Sequence, residues 1–410
     1  MLTSLAVILL AGMFSGWVFK RMRLPSLLGM LIAGIVVGPH VLDLLDGSLL
    51  SVSSDVRQLA LIIILTRAGL SLNACDLKKV GRPALLLCFV PACFEMIGMI
   101  VLAPWLLNIS VLDAAIMGAV VAAVSPAVIV PKMLRLMKNG YGTNKSIPQM
   151  IMAGASVDDV FVIVVFAGAV GLAQGKGISA ASLLQIPVSI AMGIVFGILL
   201  GMLLTVFFKK SSTRDTSKVI ILLGLSFLLV AVENLKIIPF SGLLATMSIG
   251  ATIQKTNVPT ATQLAKKYEK LWVAAEAILF VLVGATVDLH YAFAAGLAAI
   301  LVIGGALAFR IFGVWICTIK TNLSHKEKVF CMTAYIPKAT VQAAIGAVPL
   351  ALGLPCGNMV LTVAVLSILI TAPLGAIGVD ATYKRLLHHQ LPIANPEEHH
   401  PAQTDGTGYP

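Results

Sequence analysis

The sequence predicts an all-α membrane protein that crosses the bilayer many times, and three observations carry that prediction. Of its 410 residues, 59% are hydrophobic and 11% charged, with a mean hydropathy of +0.99. An ordinary soluble domain carries about 25% charged residues. Its exterior must face water, so a soluble enzyme with this composition is excluded. The apolar residues are gathered into runs, most of them close to the roughly 20 residues a helix needs to cross about 30 Å of hydrocarbon. Charged residues collect between those runs rather than inside them.

Thirteen runs are readable, near 3–19, 26–42, 56–72, 83–107, 112–137, 147–173, 182–208, 218–234, 239–254, 270–288, 291–318, 328–352 and 357–379. The first begins MLTSLAVILLAGMFSGW without a preceding basic residue, so it reads as a span and not as a cleavable signal. Lys20, Arg21 and Arg23 separate it from the second. Asp43, Asp46 and Asp55 lie before the third, Arg57 at its first residues is read with that loop, and Lys78, Lys79 and Arg82 follow the run. Asp113 parts the fourth from the fifth, and Lys132, Arg135, Lys138 and Lys145 close the fifth. Lys176 follows the sixth, and Lys209, Lys210, Arg214 and Lys218 follow the seventh. Glu233 and Lys236 come next, then Lys255, Lys266, Lys267 and Lys270 after the ninth. Asp288 precedes the eleventh, Lys320, Lys326 and Lys328 follow it, and Lys384 and Arg385 end the last.

Most of the 29 basic residues thus fall on alternate connections, and basic loops mark the cytoplasmic side. The N-terminus is expected outside and the C-terminus inside, which an odd number of spans requires. The net charge of +11 belongs to those loops and not to a nucleic-acid surface. The six cysteines contain no C-x-x-C pair and sit mostly in apolar runs, so no disulfide framework is expected. Residues 386–410 are polar and rich in proline, and read as a disordered cytoplasmic tail.

Seven charges remain inside spans: Arg67, Glu95, Asp158, Asp159, Glu276, Arg310 and Lys338. Each costs roughly 2.5–3.5 kcal/mol or more at a helix centre, so together they mark an ion or proton pathway. The fifth run contains A-V-S-P-A-V-I-V-P (123–131) and the twelfth I-P-K-A-T-V-Q-A-A (336–344). Both are apolar segments interrupted by proline, which removes a backbone donor and disfavours the helical turn before it. Pro126 and Pro131 are expected to break the fifth span, freeing carbonyls for a cation. These segments lie seven spans apart, and an odd offset makes them antiparallel. Two inverted six-helix repeats are therefore expected, about 1–173 and 218–380, joined by a linker helix at about 182–208.

The sixth run reads G-A-S-V-D-D-V at 154–160. Adjacent carboxylates lie about 100° apart on a helix, so Asp158 and Asp159 address different neighbours. Neither stays ionised in hydrocarbon without a cation, so each must bind a proton, a metal ion or a basic side chain. Competition of a proton and a cation for one carboxylate couples two fluxes. An intramembrane aspartyl protease needs its two carboxylates on separate helices around one water, which adjacency at 158–159 does not provide. A passive channel would conduct without counter-ion dependence.

S-V-D-D-V, S-P-A-V-I-V-P, I-P-K-A-T-V-Q-A-A and F-V-L-V-G-A together resemble the monovalent cation:proton antiporter superfamily, in its NapA and NHA branch of sodium/proton antiporters. The resemblance covers roughly residues 1–380. It implies an NhaA-like antiporter fold with crossed broken helices, a homodimer in the cell membrane, and alternating access of the elevator type. By the same resemblance Asp159 takes the transported cation and, in turn, the proton, with Asp158 in the neighbouring position. Lys338 is implied as a partner of Asp158 when the cation is absent, and Glu95 with Arg310 as a buried ion pair. Ser125, Pro126 and Thr340 lie at the two breaks, where Ser125 and Thr340 offer oxygen ligands. The implied activity is exchange of sodium or lithium for protons, with no cofactor and no catalytic chemistry. Potassium/proton exchange and sodium-coupled solute symport on a similar fold are the alternatives.

Overall fold

A computed structural model describes residues 1–71, 81–174, 180–210, 214–235 and 240–390. All regular elements among them are helical apart from one isolated bridge. In chain order they are α1 (Leu2–Arg21), α2 (Ser26–Val37), α3 (Gly47–Ser51), α4 (Ser53–Ser71), α5 (Arg82–Leu87) and α6 (Val90–Leu107). Next come α7 (Val111–Val121), α8 (Pro126–Lys138), α9 (Ile147–Ala173), α10 (Ala180–Lys210), α11 (Asp215–Asn234) and α12 (Gly242–Thr256). The chain closes with α13 (Val258–Ala285), α14 (Leu289–Cys317), α15 (His325–Ala334), α16 (Thr340–Ile345), α17 (Val348–Ala351) and α18 (Gly357–Leu386).

Each of the thirteen apolar runs contains helix. Eight helical segments among the described residues are long and apolar enough to cross a membrane by length and composition. The fourth, fifth and twelfth runs are each divided, as α5–α6, α7–α8 and α15–α16–α17. Lys78, Lys79, Lys176 and Lys236, read from the sequence as loop charges, lie outside the described residues.

The helices pack as two groups. One gathers α5, α6, α7, α8, α9, α14, α15 and α18, with α14 lying along α6 and α9 against α7 and α8. The other gathers α1, α2, α4, α11, α12 and α13, with α10 along α12. The short α16 sits between them, touching α4 and α13 on one side and α7, α9 and α18 on the other. In the second group α2 and α13 approach until their backbones meet. A Cβ at Gly34 or Gly284 would collide with the main chain of Val281 or Leu31 respectively, so only glycine fits either place.

Three expectations change. Arg57 is not in a loop but in the second turn of α4, buried, with Nη1 lacking a partner among the described residues. Pro131 lies within α8, which runs through it to Lys138; the chain is broken at Pro126 alone. The tail does not begin at 386. Leu386 still belongs to α18, and His389 pairs in an antiparallel bridge with Tyr141. Gly142 N–H donates to His388 O and Gln390 N–H to Gly140 O, each at 2.8 Å, so main-chain bonds hold these residues to the loop after α8. Residues 391–410 of the expected tail lie outside the described residues.

Candidate functional site

Two helix breaks face each other in the first group. Residues 122–125 separate α7 from α8, and residues 335–339 separate α15 from α16. The reason is local: Pro126 is the first residue of α8, where its missing N–H costs nothing, and it holds Ser125 in an extended conformation at ψ 110°. The breaks are tied to one another, Ser125 N–H donating to Pro337 O at 2.8 Å. Three carbonyls at the first break accept bonds from protein side chains. Gln342 Nε2 donates to Val121 O at 3.0 Å and to Ala123 O at 2.9 Å, and Arg310 Nη1 donates to Ala122 O.

The charged residues of the core spans converge here. Arg310 on α14 donates through Nη1 to Glu95 Oε2 on α6 and through Nη2 to Asp158 Oδ2 on α9, both at 2.9 Å. Its Nε donates to Tyr335 O at 2.8 Å, and its guanidinium lies 5.6 Å from the centre of the Tyr335 ring. Asp158 Oδ2 accepts a second bond from Val124 N–H at 2.8 Å, which anchors the carboxylate to the first break. Lys338 Nζ, from the second break, donates to Glu95 Oε2 at 2.7 Å, and its N–H donates to Thr371 Oγ1 on α18. Arg310, Glu95, Asp158 and Lys338 are wholly inaccessible to solvent.

The pairing expected between Lys338 and Asp158 is therefore not the one formed. The planar guanidinium of Arg310 presents its donors as a fork and spans two carboxylates at once. Lys338, a single point charge, joins Arg310 on Glu95. Asp159 is the carboxylate left over: buried, 7% exposed, with no ion pair among the described residues and Oδ1 without a partner. Ser125 Oγ, Asp158 Oδ1, Thr340 Oγ1 and Gln342 Oε1 are also buried and unpartnered. Oxygen atoms of this kind suit a hard monovalent cation or water.

Sequence reasoning missed Gln342 and Tyr335. Gln342 carried a signal, since an amide inside an apolar run must find partners for its donors. Tyr335 acts through its backbone carbonyl and ring face, which composition does not reveal. Two of the seven intramembrane charges lie outside this cluster, in the second group. Arg67 on α4 pairs with Glu269 on α13 at 3.2 Å, and Glu276, two turns further along α13, is half-buried.

Residues 5–384 match the family model described as the transmembrane sodium/hydrogen exchanger. The chain belongs to the sodium/hydrogen exchanger family. Sodium/hydrogen exchanger 9B2 of Homo sapiens is 35% identical over 387 residues, covering 89% of this chain and 70% of that protein. Sodium/hydrogen exchanger 9B1 of Homo sapiens is 31% identical over 404 residues, covering 92% and 76%. The solved sodium proton antiporter MjNhaP1 of Methanocaldococcus jannaschii at pH 8 superposes with a TM-score of 0.81 at 19% identity, covering 93% of this chain and 97% of that one. That likeness establishes the fold, an all-helical antiporter fold, and family membership with the apolar helices makes the chain a multi-pass membrane protein.

Proposed function

We propose that the chain is a secondary active antiporter that exchanges sodium or lithium for protons, the two competing for Asp159. The observation that carries this reading is the buried carboxylate of Asp159, which has no ion pair among the described residues, set beside two facing helix breaks and a paired network of charges. A bare carboxylate in a low-dielectric site is stabilised by a proton or by a cation, and one site does not hold both. Protonation releases the cation, and deprotonation readmits it. Family membership and the names of the relatives support cation/proton exchange. Ser125 and Thr340 supply further oxygens, while Glu95, Arg310, Asp158 and Lys338 hold the breaks in register around Asp159.

The division into two helix groups meeting at few elements suits an elevator in which the group bearing the breaks slides against the other. The inverted repeats, the N-out, C-in orientation in a cell membrane and the homodimer belong to the same reading, supported by the alternation of basic loops and by the resemblance.

The test is exchange in proteoliposomes carrying a pH-sensitive dye, with sodium, lithium and potassium compared. Proton release is expected on adding sodium or lithium, with apparent KM rising as pH falls, because protons compete. Asp159→Asn is expected to abolish exchange while leaving expression and melting temperature near wild type; exchange retained by that variant rejects the assignment. A response to potassium alone would make the chain a potassium/proton exchanger, and a solute requirement would make it a symporter.

A further inference from the structure

The side chain of Gln342 is fully buried, and both known partners of its amide are acceptors: Val121 O at 3.0 Å and Ala123 O at 2.9 Å. Two carbonyl acceptors settle which end of the amide is nitrogen, since an amide oxygen facing them would be repelled. Both N–H donors are thereby used, and Oε1, on the opposite side of the amide carbon, has no partner among the described residues. A buried carbonyl oxygen left in this way needs a donor, a water or a cation.

Its position narrows the choice. Val121 and Ala123 flank Ala122, which holds Arg310, and precede Val124, whose N–H holds Asp158. Gln342 therefore grips the four-residue break that carries the carboxylate network. Other buried side-chain oxygens around the breaks without a partner among the described residues belong to Glu95, Ser125, Asp158, Asp159, Tyr335 and Thr340. Three backbone carbonyls at the first break already accept protein donors, two of them from Gln342 itself. We propose that Gln342 is a further binding residue of the cation site: its nitrogen sets the first break, and its oxygen becomes a neutral ligand of the transported monovalent cation. This rests on the antiport reading of Asp159.

The experiment uses the full chain in proteoliposomes, with Gln342→Met and Gln342→Asn beside wild type. Methionine keeps the length but removes donors and oxygen. It is expected to raise the apparent KM for sodium about tenfold, the loss of roughly one ligand, and to alter the order of lithium, sodium and potassium. Asparagine keeps the amide on a shorter arm and is expected to fold normally while changing the lithium-to-sodium KM ratio. A merely structural glutamine would lower the amount of folded protein without moving that ratio. An unchanged KM and ion order in the methionine variant overturns the proposal. If that variant does not fold, an unchanged ratio in the asparagine variant overturns it. Failure of the wild type to exchange cations would sink the antiport reading instead, so the two failures are distinct.

Discussion

Arg310 shows how one side chain decides the pairing of others. Its donors meet two carboxylates and two carbonyls, on α6, α9 and both breaks. Removing one partner of a buried ion pair leaves uncompensated charge, at a cost of about 3–5 kcal/mol. Arg310→Ala is therefore expected to lower the melting temperature in detergent by far more than Asp159→Asn. Equal melting temperatures would show that Arg310 does not organise the breaks. Tyr335 fixes Arg310 in turn, and its hydroxyl presses on Gly154, one turn before Asp158 on α9. A Cβ at Gly154 would overlap Tyr335 Oη. Gly154→Ala is expected to destabilise by about 1–3 kcal/mol, the cost of overpacking. A Gly154→Ala, Tyr335→Phe double variant should recover part of it in the same melting experiment.

At the scale of elements, charged side chains join the ends of helices. Ser324 and Glu327 form a reciprocal cap at the start of α15, and Lys145, from the turn Thr143–Lys145, reaches Glu327 at 2.8 Å. Burial pushes the Glu327 carboxyl up, but the hydrogen bonds from Lys145 and Ser324 and the ammonium charge outweigh it and hold the group below the usual glutamate range. A lowered carboxylate contributes stability that is complete above its unfolded value and lost as pH falls through its folded one. Wild type is expected to melt above Glu327→Gln at neutral pH, and the two curves should converge on acidification below the ordinary glutamate range. A constant gap across that range would remove the ionised carboxylate from the explanation. Lys132 and Arg135 of α8 meet Asp380 of α18 at 2.5 and 2.6 Å, so the half-helix after Pro126 is tethered to the last helix.

For the whole molecule, the charges of the site set the expected stoichiometry. Glu95, Asp158 and Asp159 are three carboxylates, and Arg310 and Lys338 are two cations. With the two cations and two of the carboxylates engaged among themselves, one negative charge remains for a visitor. On the antiport reading proposed above, one monovalent cation is expected to exchange for one proton, leaving the site neutral with either bound. Exchange in proteoliposomes with a clamped membrane potential is expected to be independent of voltage. A rate that follows the potential would require Lys338 or Asp158 to titrate during the cycle.

The sequence by itself determined the solvent, the helical character of the apolar runs, the break at Pro126 and the presence of charges within those runs. Composition and run length speak directly to lipid, and proline acts on its own neighbours. Which charge meets which was decided by tertiary structure. Arg310 lies 215 residues from Glu95 and 152 from Asp158, so helix packing alone determines that both carboxylates fall within its reach. Tertiary contacts also took three carbonyls at the first break with Arg310 and Gln342. Local chemistry writes itself along the chain, whereas the satisfaction of buried polar groups is settled only where distant helices come together.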